Sequence, residues 1–321
     1  MDNSKSAEAI NVSNSGYTST AVGMRASDGI GARLRCYLQL TKPTIMLLVL
    51  ITGGTALILE GSFLTQPLKF IVFLLGLYMT GGAANAFNQY FEREIDARMK
   101  RTMKRRPLPM GFISPAEAVT FSIILGGTGV ILLGVMFNLL TAGISLATLL
   151  FYSLFYTLYL KPNTPQNIVI GGIAGAMAPI GAWTAATGTV TFTPIILFLI
   201  VFLWTPPHFW SLALCYKGDY EKANLPMMPV IKGERSTMRQ IVGYTIVLIA
   251  TSFAYLFFGG GIVYGVSALV LGALLLKSTV KARKTLDKGS LWRLFGFSII
   301  YLFGLFLAMI GDKFVSFLMA S

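Results

Sequence analysis

The sequence predicts an all-α membrane protein in which nine helices cross the bilayer, with its N-terminus in the cytoplasm. Three observations carry that prediction. Of 321 residues, 55% are hydrophobic and only 12% charged, and the mean hydropathy is +0.69, which is far more apolar than a soluble domain. Nine mostly apolar runs approach or reach the ~20 residues that a spanning helix needs, without the alternating ten-residue segments of a barrel. The 26 Lys and Arg residues also crowd onto one side. All but Lys69 and Lys313 lie at or before the start of the first run, or after an even-numbered run, and the positive-inside rule makes that side cytoplasmic. Topology thus accounts for most of the net charge of +13, and no nucleic-acid partner is needed to explain it.

The elements follow in order. Residues 1–35 are rich in Ser, Asn and Gly and include Asp2, Glu8 and Asp28. They lack both the apolar core of a signal peptide and the Arg-rich, acid-poor pattern of a transit peptide, so they read as a disordered cytoplasmic tail on a bacterial plasma-membrane protein. Residues 36–321 read as one polytopic domain, because no polar connection is long enough to hold a soluble one. The first span is placed at 42–59 and the second at 70–88, where Gly81-Gly82-Ala83-Ala84 would let a neighbouring backbone approach closely. A basic loop follows. The third and fourth spans, 116–137 and 139–160, are separated by Asn138 alone, and the fifth, 167–187, carries another small-residue run at Gly171–Ala176. The sixth, 193–214, holds Pro206-Pro207, which should bend it and free carbonyls to line a cavity. The seventh, eighth and ninth fall at 241–258, 261–276 and 294–310. Cys36 and Cys215 have no metal-ligand spacing, and the compartment argues against a disulfide.

Where the second span runs out stands Asn88-Gln-Tyr-Phe-Glu92-Arg-Glu-Ile-Asp96. Residues at i, i+4 and i+8 share one narrow helical face, so three side-chain oxygens project together. Mg²⁺ takes oxygen ligands, commonly one or two carboxylates completed by substrate phosphate. Arg98, Lys100, Arg101, Lys104, Arg105 and Arg106 follow at once, so possible metal ligands stand beside possible phosphate ligands. A plain charged helix end, its acids paired with Arg93, Arg98 and Lys100, would give the same spacing. Asn85 and Asn88 at membrane depth favour a site. The loop after the sixth span repeats the mixture with Lys217, Asp219, Glu221, Lys222, Lys232, Glu234 and Arg235. The only histidine, His208, lies in Trp204-Thr-Pro-Pro-His-Phe-Trp210. It reads either as a ligand or proton acceptor or as part of an interfacial aromatic belt.

Asn88, Glu92 and Asp96 with Arg101-Thr102 and Arg106-Pro107-Leu108 resemble the first motif of the UbiA-type intramembrane prenyltransferases. Thr164–Gly172, Pro206-Pro207-His208-Phe209-Trp210 and Tyr216-Lys217-Gly218-Asp219-Tyr220 are similar to the branch of that family that farnesylates haem. The likeness covers nearly all of the chain after about residue 36. The second motif departs from the family pattern, for Ala223 stands four residues after Asp219 where a second aspartate is usual.

The resemblance implies a nine-helix bundle that transfers a farnesyl group from farnesyl diphosphate to the 2-vinyl group of haem B, with addition of water, giving haem O and diphosphate. It implies Mg²⁺ held by Asn88, Glu92, Asp96 and Asp219, the diphosphate steadied by Arg101, Arg105, Arg106, Lys217 and Arg235, and haem met by His208. A haem A synthase is an expected partner, because the product is insoluble. Two other readings stay open at this point: prenylation of 4-hydroxybenzoate or another quinone precursor, and secondary transport, which also uses intramembrane polar groups and small-residue packing. Against transport, nine spans do not divide into equal halves and the polar groups cluster at one face.

Overall fold

The computed structural model describes residues 29–320, apart from the side chains of Lys100, Arg101 and Ala320. Among the described residues, nine helices are long and apolar enough to cross a membrane: Pro43–Glu60, Pro67–Phe91, Pro115–Met136, Leu139–Asn163, Asn167–Thr187, Phe192–Cys215, Glu234–Phe258, Ile262–Thr285 and Lys288–Met319. These are called the first to ninth spans below.

Local chemistry sets several of their starts. Pro43, Pro67 and Pro115 occupy the first turn, where the missing N–H has no partner to lose. Ser114 and Glu117 close a reciprocal capping box ahead of the third span. The eighth is capped from a distance: Asp312 of the ninth span accepts from the backbone N–H groups of Gly261 (2.7 Å), Val263 (3.0 Å) and Tyr264 (2.9 Å).

The second span packs on the third, the sixth on the seventh and ninth, the eighth on the ninth, and the first on the fifth and ninth. Helices in lipid gain little from hydrophobic burial, so close fit does the work. A Cβ on Gly126 would press on Ala83 and Leu149, and one on Gly129 would collide with Met79 and Thr80. The small residues of the second and third spans therefore serve backbone approach. Trp210, Tyr264, Tyr301 and Phe306, all wholly buried, fill the space among spans six to nine.

Two expectations need correction. The helix Ile30–Leu40 precedes the first span, so 30–35 is helical rather than tail; residues 1–28 of that expected tail lie outside the described residues. Ile30, Leu34 and Leu38 are exposed along one side of it while Arg33 pairs with Glu117, the pattern of a helix lying in the interface. The last three spans extend well beyond their apolar windows on the basic side, because hydropathy marks the hydrocarbon whereas backbone hydrogen bonding decides where a helix stops. Pro206 and Pro207 sit inside the sixth span's single helix, Phe192–Cys215.

Candidate active site

The ladder stands at the basic-side end of the second span. That helix ends at Phe91, Glu92 interrupts it, and a short helix resumes over Arg93–Arg98. The N–H of Glu92 still bonds to the carbonyl of Asn88, and that of Asp96 to the carbonyl of Glu92, so the register survives and the three side chains converge. Each residue is only 2% exposed. Two buried carboxylates would cost several kcal/mol each if left unpaired.

Three cations meet them. The Arg106 guanidinium contacts Asp96 Oδ2, and the same nitrogen, Nη1, lies 3.5 Å from Glu92 Oε2. Lys161 Nζ reaches Glu92 Oε1 at 2.5 Å. Lys42 Nζ donates to Asn88 Oδ1 at 2.7 Å. The Asn88 amide in turn donates to Glu92 Oε1 (2.7 Å) and to Thr157 Oγ1 (3.1 Å). With Lys42 protonated, three positive charges against two negative leave the cluster with one in excess.

Each cation arrives by a local distortion or from a distant segment. Lys42 adopts φ 52°, a left-handed conformation that costs a non-glycine residue energy, immediately before Pro43. Lys161 and Thr157 are delivered by the fourth span, which passes through π-helical turns over Phe151–Leu160; such turns are rare and recur at functional sites. Tyr156 in those turns rests directly on Gly171 of the fifth span, where any Cβ would run into its ring.

The electrostatics follow from this crowding. Burial pushes the Glu92 carboxyl up, but Lys161, Lys42 and Arg106 together outweigh it and hold it at about 2. For Asp96 burial prevails over Arg106, and its carboxyl is raised. Burial, aided by repulsion from Arg106 and Lys161, brings the Lys42 ammonium down to about 7 against the pull of Glu92 and Asp96.

Beneath the ladder a cavity of about 120 Å³ opens among the first, second, fourth and fifth spans. Asn85 and Tyr152 line its upper part, Phe73, Leu77 and Ile144 its depth, and Met46 and Met177 its sides. The hydroxyls of Thr80 and Thr148 turn back onto carbonyls of their own helices, leaving an apolar lining. The void is a little smaller than one that holds a benzene ring, ~150 Å³, yet two adaptable methionines border it.

The other expected site residues are dispersed. Arg105 is exposed while Arg106 turns inward; the Arg101 side chain lies outside the described residues. Lys217 pairs with Glu234 (3.3 Å) and Glu221 (3.8 Å). Asp219, half-buried on the short helix Lys217–Lys222, makes no side-chain contact with the ladder among the described residues. Arg235 lines a separate cavity. His208 is stacked between Trp204 and Phe295, with ring centroids at 4.2 and 4.4 Å, and its Nδ1 lies 2.8 Å from Ser298 Oγ. Because that hydroxyl donates to the Phe295 carbonyl, Nδ1 carries the proton and Nε2 keeps its lone pair. Sequence reasoning missed Lys42, Thr157 and Lys161. For the two lysines the one available signal was position: each stands at the end of an otherwise apolar run, as Lys69, Lys277 and Arg293 also do.

Among the described residues no three His, Cys, Asp or Glu side chains converge, but Mg²⁺ does not need three. Oxygens of Glu92 and Asp96 both face one nitrogen of Arg106, which stands where a small cation would satisfy them equally well, with Asn88 alongside. The donor set fits a divalent ion completed by phosphate oxygens.

Comparison with known proteins bears on the family and the fold. Residues 47–310 match the UbiA prenyltransferase family. The chain is 46% identical over 288 residues to a protoheme IX farnesyltransferase of Erythrobacter litoralis (strain HTCC2594), covering 88% of this chain and 93% of that one. It is 45% identical over 287 residues to the protein of the same name from Symbiobacterium thermophilum, covering 88% and 95%. Among solved structures it is similar in fold to a digeranylgeranylglyceryl phosphate synthase (TM-score 0.73, 22% identity, 88% of this chain and 98% of that one). It is also similar to a UbiA homolog from Archaeoglobus fulgidus bound to GPP and Mg²⁺ (TM-score 0.57, 17% identity, 85% and 99%).

Proposed function

Since the chain belongs to the UbiA prenyltransferase family, we propose that it transfers a farnesyl group from farnesyl diphosphate to the 2-vinyl group of haem B, giving haem O and diphosphate. The observation that carries this reading is the buried cluster of Asn88, Glu92 and Asp96 with Lys42, Lys161 and Arg106, set over an apolar cavity. It offers an anion site and an isoprenoid site end to end, which is what a prenyl diphosphate requires. The names of the curated relatives select haem as the acceptor.

In this reading the diphosphate lies against Arg106, Lys161 and Lys42. Arg106 suits two phosphate oxygens at once, and the lysines act as point charges. The single excess positive charge of the cluster falls short of a diphosphate's negative charge. A divalent cation held by Asn88, Glu92 and Asp96 would supply the remainder and act as a Lewis acid toward the leaving group. Breaking the C1–O bond leaves the electron pair on diphosphate and an allylic cation at the top of the cavity, which Tyr152 lines. The vinyl terminal carbon forms the new C–C bond, water adds to the inner carbon, and one proton is released. A water-poor cavity protects the cation until the vinyl group arrives.

The half-exposed Phe209 meets the His208 ring edge-on, the half-exposed Trp292 meets Phe295 in the same way, and Nε2 of His208 is the atom that would contact haem. The basic face lies in the cytoplasm of a bacterial inner membrane, where a haem A synthase would take the product. Asp219 and Lys217 would face the diphosphate only with the loop after the sixth span closed on bound substrate.

The test is incubation of purified protein with farnesyl diphosphate, Mg²⁺ and either haem B or 4-hydroxybenzoate, read by product mass. Haem O is expected; prenylated benzoate alone, or no product, overturns the assignment. His208→Ala should weaken haem binding and change its Soret spectrum, and an unchanged spectrum and turnover would remove that residue from the haem site.

A further inference from the structure

A second cavity, of about 460 Å³, lies on the basic side between the start of the seventh span and the end of the eighth. It is lined by Arg235, Met238, Arg239, Arg283, Lys284 and Leu286. Four cations from two helices border one space, and among the described residues none of them pairs with a carboxylate. The nearby acids are engaged elsewhere: Glu234 with Lys217, and Asp287 with the backbone N–H and hydroxyl of Ser290.

The positive-inside rule explains cations on this face, but it is satisfied wherever on the face they fall. It gives no reason for convergence without counter-charge. The helix dipole accounts for Arg283 and Lys284 in the last turn of the eighth span, but not for Arg235 and Arg239, which occupy the opening turns of the seventh, the positive end of that helix. The arrangement is repulsive unless an anion enters.

What continues from the cations identifies the anion. One turn inward from Arg239 is Gly243, with no atom within 4 Å of where its Cβ would be. Ile246 and Val247 follow, more than half exposed. On the eighth span Val280 and Leu276, 39% and 37% exposed, descend from Arg283 and Lys284 at helical spacing. Two apolar stripes thus run from the charged cavity toward the bilayer core. A soluble phosphate would use the cations and ignore the stripes.

We propose that this cavity is a binding site for an acidic phospholipid, its phosphate oxygens held by Arg235, Arg239, Arg283 and Lys284 and its acyl chains lying against Ile246, Val247, Val280 and Leu276. The four cations balance more than one negative charge, so cardiolipin, with two phosphates, fits better than phosphatidylglycerol. Phosphatidylcholine, with no net charge, fits worst. The site is independent of the farnesyl-transfer reading.

The experiment is native mass spectrometry of the full chain released from nanodiscs of phosphatidylcholine doped with cardiolipin or phosphatidylglycerol. It compares wild type, the variant Arg239→Gln/Arg283→Gln/Lys284→Gln, and a control, Lys104→Gln/Lys222→Gln/Lys232→Gln, that removes as many exposed charges elsewhere on the same face. Because several basic groups act together on one anionic headgroup, wild type and control should both retain one cardiolipin with at least about tenfold preference over phosphatidylcholine. The cavity variant should lose that preference. Because its three side chains are exposed, folding is checked by an unchanged melting curve in lipid-free detergent; if that curve shifts, Lys284→Gln alone must still lower retention. Equal retention by cavity variant and control, no preference in the wild type, or displacement of the lipid by millimolar inorganic phosphate would each overturn the proposal.

Discussion

Replacement of Lys161 by Met tests whether the ladder is held together by charge. Lys161 leads the cations that lower the Glu92 carboxyl, which falls from 4.5 to about 2 despite complete burial. That displacement corresponds to about 3 kcal/mol of folded-state stabilisation. Lys42 and Arg106 remain in the variant, and the Asn88 amide still donates to Glu92, so a loss of roughly 2 kcal/mol is expected rather than the 3–5 of a wholly orphaned buried charge. The sign follows from the direction of the shift. A carboxyl depressed in the folded state stabilises fully above its unfolded value near 4.5 and loses that contribution as pH falls toward 2. The variant, with Glu92 raised, should melt lower at pH 7 and begin to unfold at a higher pH on acidification.

Stability and activity separate in a second variant. Glu92→Gln/Lys161→Met removes both charges and should recover most of the melting temperature, because replacing both members of a buried pair is often nearly neutral. Turnover should stay low in both variants, since a charge-assisted bond to phosphate is worth ~1.5–3 kcal/mol, or about ten- to a hundredfold in kcat/KM. Thermal unfolding in detergent and haem O formation by mass read the two effects. A Lys161→Met protein that melts and turns over like wild type would refute the reasoning outright.

Asp96→Asn should insert and fold, because Asn retains an oxygen for Arg106, yet lose activity at least about a hundredfold; full turnover at saturating Mg²⁺ would sink its assignment. Gly181 lines the cavity and has open space where a side chain would be, so Gly181→Leu fills the void without a clash. Excluding roughly three methylenes at about 0.8 kcal/mol each predicts a loss near fiftyfold in kcat/KM with farnesyl diphosphate and little with dimethylallyl diphosphate. Equal effects on the two donors would remove the cavity from chain recognition. Asp312→Ala should destabilise by about 2–4 kcal/mol, since three backbone donors lose a charged acceptor and water replaces only part of it. Its activity per folded molecule should not change, and a selective loss of turnover would show that the cap acts on the site.

The spans were legible and their basic-side ends were not. Four of the nine predicted runs agree with the helices to within a residue or two at both ends, because long apolar segments have a single solution in lipid. The seventh span, placed at 241–258, begins at Glu234. Its opening residues are charged, and hydropathy reads them as loop. The same blindness hid the second cavity: Arg235 looked like a phosphate ligand of the first site because it stands in a loop resembling the first, whereas the helix carries it to Arg239 and, in space, to Arg283 and Lys284.

The candidate site divides along a similar line. Asn88, Glu92 and Asp96 were visible because one helix imposes their spacing, and Arg106 because it stands ten residues after Asp96. Lys42 and Lys161 were not, for they meet the ladder across 46 and 69 positions of chain. Nothing in the local pattern of either lysine differs from that of an ordinary helix-end cation. What distinguishes them is a demand made elsewhere: two carboxylates buried to 2% exposure must find positive charge, and among the described side chains of the loop that follows only Arg106 reaches them. Had the ladder been taken as buried rather than solvated, the shortfall would have required cations from other spans. The basic residues closest to apolar runs would then have been the first to consider. Burial of the acids, not their spacing, is therefore the premise that makes the rest of the site deducible.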